Sequence, residues 1–84
     1  MKIAAGVWQH YKGGYYLVIG LAAHTETNEL MVVYVSLTGA HLPGPRMRVR
    51  PASMFLDVVQ VDSLIPGAVK HVPRFEYIGL EIPQ

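Results

Sequence analysis

Arg46-Met47-Arg48-Val49-Arg50 alternates without a fault; on a β-strand it sets three guanidinium groups on one face, with Met47 and Val49 on the other. Alternate strand residues stand about 6.6 Å apart, so Arg46, Arg48 and Arg50 would form a positive stripe about 13 Å long. Aromatic residues are plentiful: Trp8, Tyr11, Tyr15, Tyr16, Tyr34, Phe55, Phe75 and Tyr77. A basic groove with stacking rings is what single-stranded nucleic-acid binders use. Against that reading stands a formal net charge of only +1, which gives no global attraction for nucleic acid or anionic lipid. A solvated strand face is the ordinary explanation of such a row, and most of the rings are needed for a core.

Histidine and carboxylate together raise the question of a metal. His24 and Glu26 are two apart and on one strand would point the same way. His10, His41 and His71 are far off in sequence and repeat no zinc-motif spacing, so no metal site is expected. For catalysis the chain has no cysteine, no G-x-S-x-G elbow, no P-loop and no G-x-G-x-x-G. Ser36, Ser53 and Ser63 have no neighbouring histidine to mark a triad, and the only carboxylates are Glu26, Glu29, Asp57, Asp62, Glu76 and Glu81. The expectation leans against an enzyme, with no catalytic residues and no cofactor.

The elements that must position these groups are strands. At 84 residues, 51% apolar and 15% charged, the chain is too hydrophobic for disorder and is expected to form a single domain over 1–84. The absence of cysteine excludes a disulfide scaffold and is compatible with a reducing cytoplasm. Met1 to Trp8 lacks the apolar stretch of a signal peptide. Leu30 to Pro45 is free of charge but broken by Gly39, Pro43, Gly44 and Pro45, so no membrane span is expected. The default is a cytoplasmic protein.

Val7 to Tyr11 reads as a first strand, and Lys12-Gly13-Gly14 as a tight turn, where glycine takes positive φ without steric cost. Tyr15 to His24 is apolar on both faces: Tyr15, Leu17, Ile19, Leu21 and Ala23 in one row, Tyr16, Val18, Gly20 and Ala22 in the other. Asn28 suits a left-handed turn position. Leu30 to Leu37 is a third strand, with Met31, Val33, Val35 and Leu37 as its core row. Gly39 to Pro45 is a loop, and Pro51 to Phe55 fits one helical or 3₁₀ turn. Leu56 to Val61 resumes as strand, Ile65-Pro66-Gly67-Ala68 fits a type II turn, and Arg74 to Ile82 is a last strand. Five or six short strands argue for an all-β antiparallel fold, preferably a small barrel, because closure removes edges. The double-sided second strand needs cover on its outer face from the Pro-rich loop, the C-terminal tail or a second copy of the chain.

His10-Tyr11-Lys12-Gly13-Gly14, Tyr16, Val18-Ile19-Gly20, His24-Thr25-Glu26-Thr27, Glu29, Val32-Val33-Tyr34, Val49-Arg50-Pro51, Met54-Phe55 and Pro73-Arg74-Phe75 recur in one order. Together they resemble a small bacterial family catalogued as domain of unknown function 1653, over roughly residues 8–78. The resemblance implies a compact SH3-like barrel and brings no established activity, substrate or cofactor. One departure is Arg48, where the family usually has an aromatic residue; the loop through His41-Leu42-Pro43-Gly44-Pro45 also differs from the common form.

His10, Lys12, His24, Glu26, Arg50 and Arg74 are the polar residues on the matched motifs, and they are the candidate ligand-binding set. A rim pocket could use the arginines for an anionic group and the histidines for hydrogen bonds. The structural alternative has His24 and Glu26 tying down a turn while Arg50 and Arg74 pair with Glu26, Glu29 or Asp57. His10 and Lys12 close the first strand and His24 and Glu26 the second, which places the two pairs at opposite ends of a hairpin. The expected function is a non-enzymatic binding module for a protein or peptide, with a homo-oligomer as a related form. The alternatives are nucleic-acid binding through the arginine stripe, and a small enzyme or metal protein using the rim.

Overall fold

The computed structural model describes residues 3–38 and 46–83. Among the described residues the order is β1 (Gly6–His10), β2 (Tyr15–Ala23), β3 (Leu30–Ser36), β4 (Met47–Pro51), α1 (Ala52–Phe55), β5 (Val58–Asp62), β6 (Val69–Pro73) and β7 (Phe75–Gly79). Five strands form one antiparallel sheet in the order β4-β3-β2-β1-β7, and β5 pairs with β6 in a second ladder. The protein is therefore all-β apart from one short helical turn, as its sequence predicts. The Gly39–Pro45 loop and His41 lie outside the described residues.

The turns form where their residue types require them. His10 N–H donates to the Gly14 carbonyl (2.8 Å), Gly13 N–H donates to His10 (2.8 Å), and Gly13 has φ of 108°. Asn28 takes φ of 59° between β2 and β3. At Ile65–Ala68 the Ala68 N–H donates to the Ile65 carbonyl (3.1 Å), and Gly67 takes φ of 79°. Pro51 supplies the fixed φ (−53°) that leads into α1, whose Ala52 carbonyl accepts from the N–H of Leu56.

Three expectations need correction. Among the described residues the strand count is seven, because Val69-Lys70-His71-Val72-Pro73 pairs with β5 as β6. Its two charged-type residues and terminal proline mask the strand signal, yet proline is tolerated at an edge. The core row of β3 is the opposite one. Val32 and Tyr34 are buried, whereas Val33 and Val35 are half-buried and Leu37 is exposed; of the expected row, Met31 alone is buried. The strand carries β-branched residues on both faces, so alternation alone could not choose between them. In β2 the strict two-row pattern fails, since Val18 pairs with Tyr34 and Gly20 with Val33, leaving Ile19 as an unpaired bulge residue. Beyond it, Leu21 joins the face of Val18.

An aromatic layer fills the inner face. Phe55 and Phe75 lie flat together, with centroids 4.2 Å apart at 6°, and Trp8 meets Phe55 edge-on at 5.2 Å. Tyr34 packs against both phenyl rings, and Tyr16 reaches Tyr34 and Phe75. Trp8 Nε1 donates to the Ala4 carbonyl (2.9 Å), which satisfies the polar end of this ring as it is buried. Ile3, Val18, Val32 and Ala52 complete the core.

Candidate functional site

Strand register decides where the arginines go. Arg48 is opposite Tyr34 and Arg50 opposite Val32, while Met47 and Val49 face Val35 and Val33. Directly paired residues share a face, so Arg48 and Arg50 lie on the inner, aromatic face. The outward side of β4 carries the apolar residues, with Met47 57% and Val49 59% exposed. The alternation is as expected. Its orientation makes the guanidinium groups a rim to the core rather than a stripe on the outer surface.

Arg50 is half-buried, with its guanidinium carbon 5.5 Å from the centre of the Phe75 ring. Such stacking suits a planar, weakly hydrated cation. No ion pair joins Arg50 to a carboxylate among the described residues. Arg48 is exposed, and Arg46 precedes the first residue of β4.

His10 comes to the same ring from β1. It meets Phe75 edge-on at 4.9 Å, Tyr11 at 4.6 Å and Tyr16 at 6.3 Å. Its Nδ1 accepts the Lys12 N–H at 3.2 Å, and the Lys12 ammonium lies 5.8 Å from the Tyr11 ring centre. Burial, followed by the charges of Arg50, Arg74 and Lys12, pushes the imidazole below its ordinary 6.5. The field at His10 is thus positive despite the small net charge of the chain.

Arg74 stands just before β7 and pairs with Asp57, Nε to Oδ1 at 2.6 Å and Nη2 to Oδ2 at 3.3 Å. That hydrogen bond is the main reason the Asp57 carboxyl is held below its usual range and the guanidinium above its own. The Arg74 carbonyl accepts from Tyr11 N–H (2.9 Å), which fixes the end of β1 beside it.

Four of the six candidate residues therefore converge: His10, Lys12, Arg50 and Arg74. His24 and Glu26 do not. They follow the far end of β2, whose nine residues span about 30 Å. There His24 Nδ1 accepts the N–H groups of Glu26 (3.2 Å) and Thr27 (3.3 Å), and Asn28 N–H donates to the His24 carbonyl (2.7 Å). The Glu26 carboxylate lies 3.5 Å from that nitrogen, but a lone pair already accepting N–H bonds has no proton to give it. These two side chains organise the turn. Among the described residues no three histidine, aspartate or glutamate groups stand together as metal ligands.

Two participants escaped the reading of the sequence. Phe75 is the ring on which His10 and Arg50 meet, and nothing local distinguishes it from the other core aromatics. A concavity of about 290 Å³ lies beside the cluster, lined by Gln9, His10, Tyr11, Val72, Pro73 and Glu76. It touches the cationic group only through His10 and its neighbour Tyr11, and it depends on β6.

The wider comparisons agree with this architecture. No curated protein matches the chain. A crystal structure of a DUF1653 protein from Bordetella bronchiseptica superposes with a TM-score of 0.79 at 34% identity, covering 99% of this chain and 96% of that one. The family described as protein of unknown function, DUF1653, matches residues 6–77, a span that holds the Phe75 cluster and all but the last two residues of β7. The chain belongs to the DUF1653 family.

Proposed function

We propose that this protein is a non-enzymatic binding module that presents the cationic rim of its aromatic core to a protein partner. The observation behind this reading is Arg50: a half-buried guanidinium stacked on Phe75, with no carboxylate paired to it among the described residues. A guanidinium held over a ring, with no carboxylate partner among the described residues, can receive an anionic group from outside the fold. The polar groups nearby are already engaged, His10 Nδ1 with the Lys12 N–H and the Arg74 guanidinium with the Asp57 carboxylate. That arrangement favours recognition over proton transfer, which needs a base aimed at a reacting group.

Nucleic acid fits less well. Base stacking requires accessible ring faces, and on the face that Arg48 and Arg50 share, Tyr34, Phe55 and Phe75 are 4%, 0% and 4% exposed, which leaves Tyr11 and Tyr77, on the β1–β7 side, as the exposed rings. The test is peptide display against the immobilised protein, alongside anisotropy of a labelled single-stranded oligonucleotide at about 50 and about 200 mM salt. The expected result is selected peptides that shift the amide resonances of Gln9 to Lys12 and of Phe75, and that bind more weakly to Arg50→Gln. Failure to select any peptide, or oligonucleotide binding that collapses with salt and requires Arg48, would overturn the reading.

A further inference from the structure

We infer that the partner is recognised through an acidic segment, whose carboxylates are taken by Arg50 and Lys12 beside His10, with Arg74 held by Asp57 at the edge of the cluster. The inference rests on the binding-module reading and adds the chemistry of the ligand. Three observations support it. Cations reach this corner from three separate parts of the chain: Arg50 from β4, Lys12 from the β1–β2 turn and Arg74 from the start of β7. Asp57 is the one carboxylate hydrogen-bonded within the cluster, and Arg74 already occupies both of its oxygens. Glu76 lines the neighbouring concavity but alternates with Phe75 along β7, on the sheet's other face.

The proton affinity of His10 is lowered first by burial and then by the charges of Arg50, Arg74 and Lys12, as expected for an imidazole with these three cations around it. Arg50 is suited to the carboxylate because its planar fork can donate two parallel hydrogen bonds while its face stays on Phe75. Lys12 offers a mobile point charge beside Tyr11, which is itself exposed and gives apolar contact to the segment's other side chains. The ligand class is therefore an extended peptide carrying at least two acidic residues, with an apolar residue between them.

The test uses the full chain, ¹⁵N-labelled, titrated with an acetylated hexapeptide that alternates Glu with Val. The same peptide with Lys in place of Glu and inorganic phosphate serve as comparisons. The Glu peptide is expected to shift the amides of Lys12, Arg50 and Phe75 and to bind at least about 5-fold more weakly to Arg50→Gln, a loss ordinary for a charged hydrogen bond. Lys12→Gln, at an exposed position, should weaken it as well and guards against misfolding of the Arg50 variant. No shift with the Glu peptide, equal binding of the Lys peptide, or phosphate acting as strongly at the same amides would each overturn the acidic-segment assignment. Display-selected peptides that dock on the cluster without acidic residues would also overturn it while leaving the binding-module reading intact.

Discussion

Arg74 holds Asp57 by both side chain and backbone: its guanidinium donates to the two carboxylate oxygens at 2.6 and 3.3 Å, and its N–H donates to the Asp57 carbonyl at 3.0 Å. With Tyr11 N–H on the Arg74 carbonyl, one residue ties the start of β7 to the end of β1 and to the segment after α1. The side-chain pair is partly exposed, so its value lies mainly in fixing this junction.

Asp57→Asn and Arg74→Gln should therefore lower the melting temperature by similar, modest amounts, and the double variant should lose less than the two single losses added. A double-mutant cycle by thermal unfolding measures this. The Asp57 carboxyl is depressed in the folded state, so its contribution is present above the ordinary 3.8 and is lost as pH falls through the lower native value. Asp57→Asn should flatten that acid limb.

His10 titrates in the other direction from a paired histidine. Its folded-state pKa lies below 6.5, so between that value and 6.5 the unfolded chain binds more protons than the folded one. Stability should be full above about 6.5 and fall as the solution is acidified toward and through the native pKa. His10→Gln should lose this slope. Melting temperatures across pH, with the imidazole followed by NMR, check it; an imidazole titrating at or above 6.5 would contradict the burial of His10 and the cations of Arg50, Arg74 and Lys12 near it.

The aromatic core and the outer row of β4 should differ sharply in substitution cost. Phe55→Ala removes a fully buried ring in contact with Trp8, Tyr34 and Phe75, and is expected to cost about 3–5 kcal/mol. Val49→Thr, on the exposed side of β4, should stay within about 0.5 kcal/mol. Urea unfolding of both variants tests whether Val49 lies outside the core that Phe55 fills.

Gly6 and Gly20 make a second contrast. A Cβ on Gly6 would stand 2.8 Å from the Gly79 carbonyl oxygen and 3.1 Å from Tyr77 Cε1, at φ of 134°. Gly6→Ala should destabilise by more than about 1 kcal/mol, because neither the backbone oxygen nor the φ can be accommodated by a side-chain movement. Gly20→Ala meets no atom within 4 Å and has ordinary φ, so it should be tolerated in the same assay.

Local chemistry made much of the fold legible. Gly13, Asn28 and Pro66-Gly67 announced their turns because positive φ and fixed φ are properties of single residues. The phase of β3 was not legible, since valine occurs on both of its faces and only the aromatic layer from Trp8, Phe55 and Phe75 decides which is inward. The site was legible in its parts. His10, Lys12, Arg50 and Arg74 could be named from the chain, and Asp57 as one of three carboxylates for the arginines. Their meeting at Phe75 depends on pairing β1 with β7 and on the way α1 carries the chain from β4 to Asp57, neither of which any local pattern encodes.

The unpaired Ile19 works as a parity switch for the distal half of the β2–β3 hairpin. A strand has only two facings, so one extra residue exchanges them for everything downstream until the chain turns. Pairing Ile19 into the ladder would send Leu21 outward and Ala22 inward and would invert the frame on which the His24–Glu29 turn is built, whereas deleting it leaves Leu21 opposite Val32 in a regular ladder. Among relatives that keep this turn, a β2 shorter by one residue should accordingly lack the bulge and keep the same apolar row beyond it, while one of equal length should keep the bulge.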